Sequence, residues 1–295
     1  MIDRLLRLYP REYRTAYGPE IAGTYREMTA GMARWGRLRE GSDLAAHALR
    51  VRFGLRSADP LGRLAASAAP FAVAAAGVSG GIRVTGWYAG VTLSPTPWRL
   101  EFQILHTAEI LGLLSLLLTC LGAIVALTGR WAAGVSATVC GLAGTAVLAL
   151  SETHPNEYQY RIIVPVAAVL TIAVLLACPP DLRPGPGMSA VAGAMAGAAW
   201  LPAIVVERGV VGWMSTDYGG WPLLVLAATG VALALRARSS GLRESGAMAM
   251  ASPPLLADAC LLNWYDPKPF AVLLLALPVA ALLTAVAEKV RRRPR

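Results

Sequence analysis

The sequence predicts an all-α fold: a polytopic transmembrane helical bundle of about eight spans behind a short cytosolic helical segment. Three observations carry that expectation. First, the 295 residues are 56% hydrophobic and only 15% charged, with mean hydropathy +0.52, whereas soluble domains carry about a quarter of their residues as charge. Second, several stretches approach or exceed the ~17 apolar residues that cross a hydrocarbon core as a helix. Third, the basic residues gather on alternate connections, as orientation by positive charge requires. The net charge of +9 is therefore read as a membrane signal, and no nucleic-acid partner is expected.

Residues 1–60 form the prefix, and they divide at their punctuation. IDRLLRLYP makes a short amphipathic piece stopped by Pro10. Tyr13, Tyr17, Ile21, Tyr25 and Met28 then recur at spacings of four and three, which is one apolar helical face. Gly18 and Pro19 are expected to break that helix, with Pro19 opening the next segment. A further helix is expected to start at the cap Ser42 and run to about Arg56. A prefix of ~60 residues buries little surface by itself. Its arginines gain about 1 kcal/mol each beside an anionic leaflet, so it needs the leaflet, its own bundle or a protein partner.

Behind it, residues 61–288 hold spans at about 64–82, 104–128, 131–150, 162–178, 188–206, 221–235, 246–264 and 269–287. The stretch 246–264 contains Pro253, Pro254 and Asp258, so its inclusion rests on parity. With eight spans the basic tail 289–295 shares the cytoplasmic side with the prefix. On that count 22 of the 27 basic residues face inward and 5 outward, Arg83 among the outer ones. Ten of the 17 Trp and Tyr residues fall on the outer loops and their edges, where amphipathic rings favour the headgroup layer. Ser189, Gly193 and Gly197 at intervals of four, and Gly77 with Gly81, mark surfaces where backbones can approach closely. Cys120, Cys140, Cys178 and Cys260 each lie in an apolar segment with no CxxC pair, so they read as small hydrophobes rather than disulfides or metal ligands.

The prefix also resembles a known group. The run LLRLYPREYRTAYGPEI, followed by DLAAHALRVRFGL, is similar to the cytosolic prefix of many actinobacterial multi-pass membrane proteins, which begin LYPxx[WY]Rxx[WY]GxE, and to the helical prefixes of some bacterial permeases. Leu8, Tyr9, Pro10, Tyr13, Arg14, Tyr17, Gly18 and Glu20 match, with Tyr13 where Trp is more common. The resemblance covers about a fifth of the chain. It implies a bacterial plasma-membrane protein with a cytosolic helical prefix and carries over no catalytic residue. The preference for arginine over lysine agrees with a high-GC genome.

Ionisable residues inside spans are the candidates for chemistry, because burying them in lipid is costly. Glu101, His106 and Glu109 lie toward the outer end of the second span. His106 and Glu109 share a helical face, where a carboxylate and an imidazole relay protons or hold a cation, or simply pair near the headgroups. Asp258 follows Ser252-Pro253-Pro254, where a helix kinks or breaks, and lies about 9 Å below the interface at 1.5 Å per residue. Broken helices with a carboxylate recur at transport sites. A bond to Ser252 or to a neighbouring span is the structural alternative. GVSG (77–80) resembles the GxSG of rhomboid-type intramembrane proteases, but Ser79 would need a histidine base, and His106 departs from that family's order.

No P-loop, HExxH, kinase or dinucleotide fingerprint appears, so no cofactor or metal is expected. The leading expectation is a non-enzymatic accessory or permease-like subunit, whose prefix docks a partner or hugs the membrane. The alternatives are a small-solute or ion transporter using His106, Glu109 and Asp258, and an intramembrane enzyme acting at the outer face.

Overall fold

The computed structural model describes residues 2–93, 107–151, 158–207, 220–237 and 242–262, together with residues 272, 273, 277, 279 and 281. Among these residues every regular element is a helix. The prefix comprises α1 (Ile2–Leu6), α2 (Arg11–Thr29) and α3 (Arg34–Phe53). The remainder comprises α4 (Pro60–Leu93), α5 (Thr107–Leu127), α6 (Trp131–Ser151), α7 (Tyr158–Ala177), α8 (Pro186–Glu207), α9 (Trp221–Ala237), α10 (Leu242–Ala251) and α11 (Pro253–Leu262).

Two prefix boundaries differ from the sequence expectation. Helix α2 runs through Gly18 and Pro19 without ending. A proline ring clashes with the Cβ of the residue before it, and Gly18 has none. On either side of the proline, Tyr13 and Ile21 pack onto the same cluster of Tyr9, Ala48 and Val51, which holds the two halves together. Helix α3 begins at Arg34 rather than Ser42, so Ser42 lies inside the helix and not at its cap. It ends at Gly54, whose φ of 66° satisfies the left-handed C-cap position. Leu55 N–H then donates to Arg50 O over 2.8 Å.

Among the described residues, four helices are long and apolar enough to cross a membrane: Pro60–Thr92, Thr107–Leu127, Trp131–Ser151 and Tyr160–Ala177. Helix α4 is the mast of the bundle. Its most apolar window is 78% buried, against 22% for that of α5. It packs on α5, α7, α8, α10 and α11. Small side chains make this possible, since Ala68, Ala69, Ala72, Ala74 and Ala75 are all buried around Phe71. Helix α5 instead exposes Ile110, Leu114, Leu117, Leu121 and Ile124, spaced four, three, four and three, a single stripe for lipid.

Close approach is concentrated at α5–α6 and along α4. A Cβ at Gly122 would lie 2.5 Å from Thr138 N, and one at Gly77 would lie 2.8 Å from the Ala123 methyl. Gly81 sits under the Trp200 ring. The Gly77–Gly81 signal is thus used. A Cβ added at Gly193 or Gly197 would meet nothing within 4 Å among the described residues, so no described helix approaches closely at these two glycines.

Within the expected span 246–264, the described residues up to Leu262 form two helices and not one. Pro253 and Pro254 bring no N–H to the α10 ladder, so α10 ends at Ala251 and α11 starts afresh at Pro253, a position suited to proline. Leu256 N–H donates to Ser252 O over 3.0 Å as the new helix begins. Residues 251–260 are all buried. The break anticipated from the prolines is present.

Candidate functional site

Among the described residues, two places bear on the candidate chemistry. The first lies within the bundle. Arg83, expected in an outer loop, is in the body of α4, because that helix extends to Leu93. Its guanidinium donates from Nε over 3.1 Å and from Nη2 over 2.9 Å to Oδ1 of Asp258 on α11. The Asp258 side chain is 7% exposed and that of Arg83 20%. Tyr160 of α7 adds its ring, with Arg83 Cζ 5.7 Å from the centroid. Asp258 Oδ2 is buried with no hydrogen-bond partner among the described residues, so only half of the carboxylate is satisfied. The partner of Asp258 is therefore a neighbouring helix; Ser252 Oγ donates to Ala249 O instead.

Beside this pair is a cavity of about 30 Å³, lined by Arg83, Ser79, Thr119, Thr145 and Thr171. Room for water requires roughly 10–15 Å³ on this measure, so the cavity admits water or a bare ion and no organic solute. Thr119, Thr145 and Thr171 each donate their hydroxyl hydrogen to a carbonyl four residues back, which leaves oxygen lone pairs as their remaining hydrogen-bonding capacity. Ser79 is on this wall.

Of the expected set His106, Glu109 and Asp258, only Asp258 belongs to this pair. Glu109 is exposed in the first turn of α5, and His106 and Glu101 lie outside the described residues. Among the described residues no group of three His, Cys, Asp or Glu side chains could hold a metal. The four cysteines are free thiols, with Cys178 and Cys260 buried. One signal in the sequence points to a partner such as Arg83. A lone carboxylate among apolar residues demands a cation, and Arg83 is the first charge beyond the expected first span.

The second place is the prefix. Here the matched motif becomes geometry. Tyr9 is 3% exposed and its hydroxyl oxygen lies 2.8 Å from His47 Nδ1 of α3. Tyr9 stacks on Tyr13 with centroids 5.3 Å apart, and Tyr13 meets Tyr17 at 4.8 Å. Arg56 covers Tyr13, 5.0 Å from the ring centroid. Leu8 packs against the Tyr9 cluster. Pro10 caps α2, and its carbonyl accepts from Arg14 N–H at 2.9 Å. Burial pushes the Tyr9 hydroxyl up to about 12. Burial, with Arg50 and Arg56 close by, holds His47 below its ordinary value, so it is neutral at pH 7.

Between α2 and α3 this aromatic ladder opens into a groove of about 430 Å³. Tyr17 and Glu20 of the motif line it, facing Glu40, Asp43 and His47 of α3. The prefix helices take one another as their principal packing partners. No family model, characterised protein or solved structure matches the chain.

Proposed function

We propose that the chain is a non-enzymatic accessory or permease-like subunit of a bacterial plasma membrane, with about eight spans and both ends cytosolic, whose prefix docks a partner protein. The groove between α2 and α3 carries this reading: the motif residues Tyr9, Tyr13 and Tyr17 line a cleft that opens beside the small Tyr9 core. Its volume falls in the ~300–1,000 Å³ range of clefts that accept a ligand. The cavity beside Asp258 is water-sized, and Asp258 is already held by Arg83, so ion relay through His106, Glu109 and Asp258 gains less support.

The test is recovery of companions from native membranes in mild detergent. Intact protein, a version lacking residues 2–56 and the variant Tyr17→Ala are compared after insertion of each is verified. Companions held by the intact protein and lost from both altered forms are the expected result. The same companions from all three would overturn the docking role.

A second reading of the prefix has its own observation. Trp35 is 82% and Phe53 60% exposed on α3, with Leu38 and Leu49 exposed as well. At about 100° per residue these four fall within an arc of about 60°, with Arg34, Arg37 and Arg52 exposed on the same helix. Such a stripe suits the headgroup boundary of an anionic leaflet. The groove residues of α3 lie about 150° around the helix from it, so leaflet contact and docking are compatible.

A further inference from the structure

We propose that the α2–α3 groove receives a basic amphipathic helix from a partner protein, with cationic side chains against its acidic wall and apolar ones along its tyrosine floor. This names the partner class for the docking role above and rests on it.

The charge of the groove carries the argument. The chain is +9 overall and residues 1–63 contain twelve arginines, yet among the described side chains no arginine lines this cleft. Its charged lining is Glu20, Glu40 and Asp43. Three carboxylates around one apolar cleft repel each other unless a cation enters, and long-range attraction for a cationic partner speeds encounter. The same field disfavours anionic lipid headgroups and nucleic acid as occupants.

The floor gives the second argument. A guanidinium stacks well on tyrosine faces, and Arg56 already does so on Tyr13 of this ladder. Arg56 is not part of the groove lining. The chain therefore displays the chemistry that a partner arginine would repeat from the open side on Tyr17, which is 49% exposed. Met28, 50% exposed at the far end, supplies an adaptable apolar contact of the kind used by surfaces that take helices.

Shape selects a helix over an extended peptide. The lining follows α2 from Tyr13 to Met28, a rise of about 22 Å or four turns. That four-turn wall, faced across the cleft by Glu40 to His47 of α3, is completed by a third helix, whose anchors recur at i, i+3, i+4 and i+7. No β edge exists in the prefix for an extended chain to pair with.

The experiment uses the full chain in phosphatidylcholine nanodiscs. A displayed library of 18-residue helices, randomised at surface positions, is selected for binding. Binders are then compared on Glu20→Gln/Glu40→Gln/Asp43→Asn and on Tyr17→Ala. Expected are binders rich in Arg or Lys beside an apolar stripe. Their affinity should fall at least about tenfold on the triple variant and on Tyr17→Ala, and affinity for the parent should fall as salt rises, a dependence that shrinks on the triple variant. Uncharged or acidic binders, or binding indifferent to both variants, would overturn the proposal. So would basic binders that bind only after residues 288–295 are removed, since the chain's own basic segment would then be the occupant. Companions lost on truncation, with no basic binders in the library, would leave the docking role standing and sink the basic helix alone. The triple variant keeps its side-chain volumes, so its circular dichroism should match that of the parent.

Discussion

Removing either member of the Arg83–Asp258 pair leaves the other partly buried and uncompensated, which costs about 3–5 kcal/mol. Asp258→Asn and Arg83→Gln should each lower the temperature at which the detergent-solubilised chain loses its monodisperse peak. The joint replacement Arg83→Met/Asp258→Leu should recover most of the loss, because well-packed apolar substitutes for a buried pair are often neutral. A single variant as stable as the parent would mean that the pair does not hold α4 to α11. His47 sets a second expectation. Its folded value is lowered, chiefly by burial, so the unfolded prefix binds the proton more readily. The stability this gives is complete above the unfolded value of about 6.5 and is lost as pH falls through it toward the folded value. Once exchange is corrected for its intrinsic pH dependence, amide protection across α1–α3 should be lower at pH 5 than at pH 7.5, with that difference reduced in His47→Gln. Equal pH dependence in the variant would exclude His47 as the cause.

At the scale of the helix, the glycines separate into two kinds that sequence spacing alone cannot tell apart. Gly141 lies against Thr119 and the Ser115 carbonyl, and Gly122 against Thr138, so a side chain there forces α5 and α6 apart. Gly141→Val should cost roughly 1–3 kcal/mol by overpacking. Gly193→Ala and Gly197→Ala meet open space and should be neutral or gain up to about 1 kcal/mol from helix propensity. Thermal stability of the three variants in one detergent checks both expectations; destabilisation by Gly193→Ala would reveal a contact at α8. A pattern of small residues states that two backbones can approach, and only the packing decides which pair does. Pro19 shows the same limit. Its local rule favours a break, but the preceding glycine and the packing of Tyr13 and Ile21 outweigh it.

At the scale of the whole molecule, the apolar helical class was legible because hydropathy sums over windows of many residues and survives local exceptions. The break before Asp258 was legible because two adjacent prolines remove two donors. That Asp258 needs a cation was legible, but the choice of Arg83 was not, since the two stand 175 residues apart. Nor was the groove, which needs the relative placement of α2 and α3. Parity of the spans depends on the interrupted pair. Helices α10 and α11 have 10 residues each, about 15 Å apiece, so together they match the ~30 Å hydrocarbon core while neither does alone. If both cross as one span, Glu288 and Asp3 share the cytosol. If they form a re-entrant pair, Glu288 faces outward, and five cations in residues 289–295 stand on the side that positive charge avoids. In a background with Cys120, Cys140, Cys178 and Cys260 replaced by alanine, Asp3→Cys and Glu288→Cys report directly. Both should resist an impermeant thiol reagent in intact cells and react after permeabilisation. Reaction of Glu288→Cys in intact cells would remove one crossing, place the basic segment outside and separate it from the prefix groove altogether.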